Sequence, residues 1–147
     1  MKIITNSAQQ TQTLASQIAP LSFNGLTILL SGDLGAGKTT FTQGLAHALH
    51  IEKTVSSPTF TIMKNYHGDQ DLNHIDAYRL EGLHQDLGFE ELIGKDGITV
   101  IEWPDFIEDL WPQHYIRINF TFIDEHTRSL EISAKGEKEL ELLRSLK

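Results

Sequence analysis

The sequence predicts an α/β fold with a mixed central sheet, and three observations carry that reading. Gly32-Asp33-Leu34-Gly35-Ala36-Gly37-Lys38-Thr39 fits G-x-x-x-x-G-K-[ST], a loop pattern that cradles phosphates. An apolar run at residues 26–30 precedes it, and Phe41, Leu45, Ala48 and Leu49 follow at helical spacing, so the loop joins a strand to a helix. Residues 116–123 alternate strictly, with Ile116, Ile118, Phe120 and Phe122 on one face and Arg117, Asn119 and Thr121 on the other. That alternation marks a half-buried antiparallel strand. Together they define a three-layer P-loop NTPase-type domain whose central sheet includes antiparallel strands.

The other elements follow in order. Residues 2–5 suit a short first strand. Asn6 or Ser7 offers an N-cap to a helix with Leu14, Ile18 and Leu21 on one face and Pro20 near its exit. Asn24-Gly25 turns the chain into the strand before the loop. The helix after the loop is expected from Lys38 to His50, with His47 and His50 where the helix dipole favours them; their i, i+3 spacing also admits a metal. Residues 60–67 and 71–77 read as a hairpin turning at His67-Gly68-Asp69. A short helix fits between Leu83 and Leu92, although Gly82 and Gly88 weaken it. Residues 98–103 form a buried-type strand ending in an acid, Pro104 opens a helix, and Pro112 closes it. Leu130 and Ile132 continue the alternation in a partner strand, and a polar-faced helix starts at Glu137.

A length of 147 residues predicts one domain spanning 1–147, with room for a core but not for a second substrate domain. The N-terminus turns polar at once, unlike a signal peptide, and no stretch approaches membrane-spanning length. The chain has no cysteine, which excludes disulfides and thiolate metal sites and suits the reducing cytoplasm. The net charge is −8, and the 12 basic residues never form a run. Nucleic-acid affinity rests largely on phosphate contacts, so a service to RNA is expected to run through a partner.

The chemistry follows from the loop. Residues Asp33, Leu34, Gly35, Ala36, Gly37, Lys38, Thr39 and Thr40 are expected to bind the phosphates with backbone N–H groups at a helix N-terminus. Lys38 would reach the β- and γ-phosphates of a nucleoside triphosphate and the Thr39 hydroxyl would hold Mg²⁺. Such a site needs a second acid at a neighbouring strand end, and Glu102 is the candidate. Its carboxylate would hold Mg²⁺ directly, act through a water, or orient the attacking water; a solvated strand-end acid is the alternative. Asp76 ends a different strand, where a functional role competes with capping of the next turn. Lys38, Asp76 and Glu102 are the candidate catalytic residues. Thr59 sits where GTPases place a phosphate-sensing threonine, yet Ser57-Pro58-Thr59 alone reads as a turn. Trp103 is read first as core, with a cover over the site or a partner contact as alternatives.

Taken together, G-D-L-G-A-G-K-T-T (32–40), S-P-T-F (57–60), H-I-D-A-Y-R-L (74–80), L-G-F-E-E-L (87–92) and I-E-W-P (101–104) resemble the TsaE (YjeE) family of bacterial ATPases. The resemblance implies a small ATPase needed for threonylcarbamoylation of the adenosine beside the anticodon in tRNAs that read ANN codons. It implies action with the TsaD and TsaB proteins, touching tRNA only through that complex; with no membrane-length stretch and no basic run, neither membrane nor DNA is expected as a partner. It assigns the loop to phosphates, Thr39 and Glu102 to Mg²⁺, activity to Asp76, and a switch-like role to residues 57–60. It also brings Thr11 and Arg128 towards adenine.

Two other classes fit less well. A small-molecule kinase clamps phosphates with several arginines, whereas this chain has only Arg79, Arg117, Arg128 and Arg144. A GTPase reads guanine with N-K-x-D, and Lys95-Asp96 lacks the preceding asparagine. A nucleotide sensor that only gates a partner stays open, because no water-activating base is obvious.

Overall fold

The computed structural model describes residues 1–33, 35–55, 63–78, 93 and 96–146. Leu34, the segment around Thr59, Arg79 and the helix expected between Leu83 and Leu92 lie outside the described residues. The elements run β1 (Lys2–Thr5), α1 (Ala8–Ile18), β2 (Thr27–Gly32), α2 (Lys38–Ala48), β3 (Met63–Tyr66), β4 (Leu72–Asp76), β5 (Ile98–Glu102), β6 (Tyr115–Phe122), β7 (Arg128–Lys135) and α3 (Glu137–Ser145). Short 3₁₀ segments cover Ala19–Leu21 and Pro104–Leu110.

Seven strands form one sheet in the order β1-β7-β6-β2-β5-β4-β3. The middle is parallel, with β2 between β5 and β6 and β4 beside β5. Hairpins β3–β4 and β6–β7 and the pairing of β1 with β7 make both margins antiparallel. The mixed α/β fold is therefore the observed one. β6 is antiparallel only on its β7 side; towards β2 it is parallel. Alternation reports which face is buried and is silent on the direction of the neighbour.

Alternate residues of β2 point to opposite faces of the sheet. Ile28 and Leu30 join Phe41, Leu45, Val100, Ile118 and Leu130 in a core that also takes Leu14 and Ile18 of α1 and Leu142 of α3. Leu29 joins Ile75, Ile101 and Ile107 on the other face. Fully buried side chains such as Phe41 and Leu45 each contribute about 1.5–3 kcal/mol. α1 lies so close on α2 that a Cβ at Gly44 would meet Gln12 Cα at 2.6 Å.

The caps follow the sequence at α1, where the Ser7 hydroxyl accepts from Gln10 N at 3.1 Å. Four local expectations change. Leu21 falls in the 3₁₀ turn after α1, because Pro20 ends the regular helix. Residues 104–110 make 3₁₀ turns rather than an α-helix, interrupted at Ile107 (φ −131°, ψ 39°). Phe122 is 51% exposed at the C-terminal end of β6, and Arg128 lies over its ring at 4.5 Å. His50 lies beyond α2 with φ 60° and bonds Asp69 at 2.6 Å, so it does not act with His47. No helix among the described residues is long and apolar enough to cross a membrane.

Candidate nucleotide-phosphate site

β2 ends at Gly32, where φ is +142° and a Cβ would sit 2.5 Å from the Phe120 carbonyl oxygen. Only glycine allows both that backbone and that approach. The chain then turns into α2, whose N-cap Gly37 supplies no side-chain acceptor. The first N–H groups of α2 are thus available to an anion, reinforced by the helix dipole.

Lys38 is 5% exposed and folds back across this cradle. Its ammonium donates to the Gly32 carbonyl and, at 3.4 Å, to the Asp33 carbonyl, and lies 3.7 Å from the centre of the Trp103 ring. Burial lowers its pKa below the ordinary lysine value, while the nearby carboxylates of Glu102, Asp76 and Asp33 pull it back up. Two strand ends and the loop therefore converge on one cation.

The parallel pairing of β4 with β5 aligns Asp76 with Glu102 at the C-terminal edge of the sheet, where ligands of open α/β sheets bind. Glu102 is 3% exposed, and its Oε2 lies 2.5 Å from Nε2 of the fully buried His74. Asp76 accepts from Tyr78 N at 3.0 Å, so it does cap the next turn while also facing Lys38. Trp103 follows Glu102 in the left-handed region (φ 57°), which swings its ring over Lys38 and against Tyr78 and Phe106. It packs partly on the second core and meets the Lys38 ammonium as well.

A cleft of about 210 Å³ gathers much of this. Gly35, Gly37, Lys38, Thr39, Thr40 and Glu102 line it together with Ser7, Ala8, Thr11, Glu125, His126 and Arg128. Asp76, Asp33 and the buried Ala36 are not part of its wall. Hollows of about 820 and 640 Å³ lie elsewhere, and neither contains the loop or Lys38. The Thr11 hydroxyl is bonded to that of Thr5 at 2.8 Å. Arg128 donates to the carbonyls of Asp124, Thr127 and Gly35, tying the β6–β7 turn to the loop.

The residues present fit Mg²⁺ with nucleotide. Among the described residues no three His, Cys, Asp or Glu side chains form a metal-binding group. One hydroxyl and one carboxylate, Thr39 and Glu102, suit a hard cation that keeps waters and takes the rest of its oxygens from phosphate. Sequence reasoning passed over Glu125, His126 and Ser7, which only the fold brings to the cleft. It also passed over His74, whose position two residues before Asp76 on the same strand face was a usable signal.

Fold, loop and strand-end acids define a P-loop nucleotide-binding domain. A family model described as "Threonylcarbamoyl adenosine biosynthesis protein TsaE" matches residues 5–130. The Bacillus subtilis tRNA threonylcarbamoyladenosine biosynthesis protein TsaE is 38% identical over 139 residues, covering 94% of this chain and 88% of the relative. The Treponema pallidum protein of the same name is 34% identical over 135 residues, covering 90% of this chain and 100% of the relative. The crystal structure of Bacillus subtilis YdiB superposes with a TM-score of 0.86 at 33% identity, covering 99% of this chain and 93% of that one. The chain belongs to the TsaE family.

Proposed function

We propose that this protein is a cytoplasmic ATPase of tRNA threonylcarbamoyladenosine synthesis, working on a TsaD–TsaB complex rather than on tRNA. The observation that carries the reading is the buried Lys38 ammonium, set between an uncapped helix N-terminus and the Asp76–Glu102 pair. In this reading Lys38 leaves the Gly32 and Asp33 carbonyls for the β- and γ-phosphates, and the first N–H groups of α2 hold phosphate oxygens. Thr39 and Glu102 hold Mg²⁺, which neutralises charge on the phosphates when bound. Asp76 keeps the ammonium charged and aimed, and Thr11 and Arg128, with His126, flank the base. A net charge of −8 suits docking on a basic protein partner and opposes a direct grip on tRNA.

The reading predicts slow phosphate release by the isolated protein and a rise when TsaB and TsaD are added with tRNA. Release that stays flat on addition would refute coupling to those partners. Tight tRNA binding by the isolated chain would refute the indirect route. Pull-down with ATP or ADP present tells which nucleotide state the partners recognise.

A further inference from the structure

We infer that His74 is a positioning residue that aims the Glu102 carboxylate at the metal side of the phosphate site; this rests on the reading of Glu102 as the metal-side acid. The register of β4 on β5 sets Leu72 opposite Ile98, His74 opposite Val100 and Asp76 opposite Glu102. His74 and Glu102 therefore project from the same sheet face, and the imidazole reaches one step forward to the carboxylate. Nε2 meets Oε2 at 2.5 Å, with both side chains shut off from solvent.

A histidine kept only for packing has its ring nitrogens satisfied by nearby backbone or side chains. Here Nδ1 has no hydrogen-bond partner among the described residues, and Nε2 is spent on Glu102. An aliphatic side chain would suit the surrounding core of Leu72, Ile98 and Val100 without an orphaned nitrogen. What the imidazole adds is direction. Nε2–H holds Oε2 and fixes the torsions of a long carboxylate arm, leaving Oε1 for the cation beside Thr39. An imidazole behind a carboxylate mirrors the outer-shell pairs that tune metal ligands elsewhere.

The test compares His74→Leu, His74→Gln and Glu102→Gln, with Mn²⁺ titrated into the complex with a non-hydrolysable ATP analogue and followed by electron paramagnetic resonance. Analogue affinity in EDTA is measured beside it, and melting of each variant is checked. His74→Leu should weaken Mn²⁺ binding by tenfold or more with metal-free affinity unchanged, and His74→Gln, which places an amide N–H near Nε2, should restore most of it. The parent should also show a solvent-protected imidazole Nε2–H signal in its ¹H–¹⁵N spectrum that moves in Glu102→Gln, a readout that needs no ligand. Equal losses with and without metal, unchanged Mn²⁺ affinity, no recovery with Gln, or absence of that signal would each overturn the inference. If Glu102→Gln itself keeps full Mn²⁺ affinity, the metal-side reading of Glu102 falls. If Glu102→Gln loses it while His74→Leu does not, only the role of His74 falls.

Discussion

Replacing Lys38 with methionine separates what the ammonium does for folding from what it does for ligand. In the free protein the group is almost wholly buried, donates to two loop carbonyls and faces the Trp103 ring. Burial nevertheless outweighs its carboxylate neighbours and lowers its pKa. The unfolded chain thus holds the proton more tightly than the folded one, and stability rises with pH between the folded value and the ordinary lysine value near 10.4. At pH 7 the protonated group carries its full burial cost. Lys38→Met should therefore melt at or above the parent temperature at pH 7, with the gap narrowing as pH approaches 10. Ligand binding moves the other way. Charge-assisted hydrogen bonds are worth about 1.5–3 kcal/mol each, so losing the contact with the β- and γ-phosphates should cost about 3 kcal/mol, or roughly 150-fold in Kd. Calorimetry with a non-hydrolysable ATP analogue and scanning fluorimetry from pH 7 to 10 measure both halves. Analogue binding within about fivefold of the parent would refute the assignment of Lys38 to phosphate. A methionine variant less stable at pH 7 would refute the account of its burial.

Three further outcomes are expected. Glu102→Gln should lower ATP turnover by at least about 100-fold while leaving metal-free nucleotide binding within about threefold, as steady-state phosphate release and calorimetry would report. Gly44→Ala should cost about 1–3 kcal/mol in urea unfolding, because its methyl would meet Gln12 backbone at 2.6 Å and α1 must move; a gain from helix propensity alone would refute that contact. Asp124 has a lowered pKa because the His126 N–H, then Thr127, donate to its carboxylate. Its contribution is present above the usual carboxylate range and fades as pH falls through the folded value, so the melting difference between Asp124→Ala and the parent should close below about pH 4.

Where structure depends on near neighbours in sequence, it could be read directly. The loop, the cap at Ser7, β5 with its terminal acid and the buried face of β6 all rest on local chemistry or on period-two burial. Pro104 correctly marked a helical start, but nothing local foretold that its turns would be 3₁₀ or that they would break at Ile107. Phe122 kept the right phase and still lies half exposed, with the Arg128 guanidinium over its ring. The order of the strands was beyond reach, and with it everything depending on contact across strands. The bond from His74 to Glu102 joins residues 28 apart, and Arg128 reaches Gly35 across 93. The same distance hid Glu125 and His126 from any reading of the loop alone.

The position of β2 has a consequence for how the protein is made. Both strands that flank it, β5 and β6, come from the second half of the chain, and β1 waits for β7. The loop leaves the ribosome early, yet its supporting strand has no partner until residues 98–122 emerge. At about 5–20 residues per second that is an interval of several seconds. Through it, a nascent chain carries the whole phosphate motif without the Phe120 backbone beneath Gly32 or the Glu102 side chain beside Lys38. Nucleotide affinity should therefore arise late and abruptly during synthesis, so that a ribosome-bound fragment ending before residue 98 holds the motif and binds nothing.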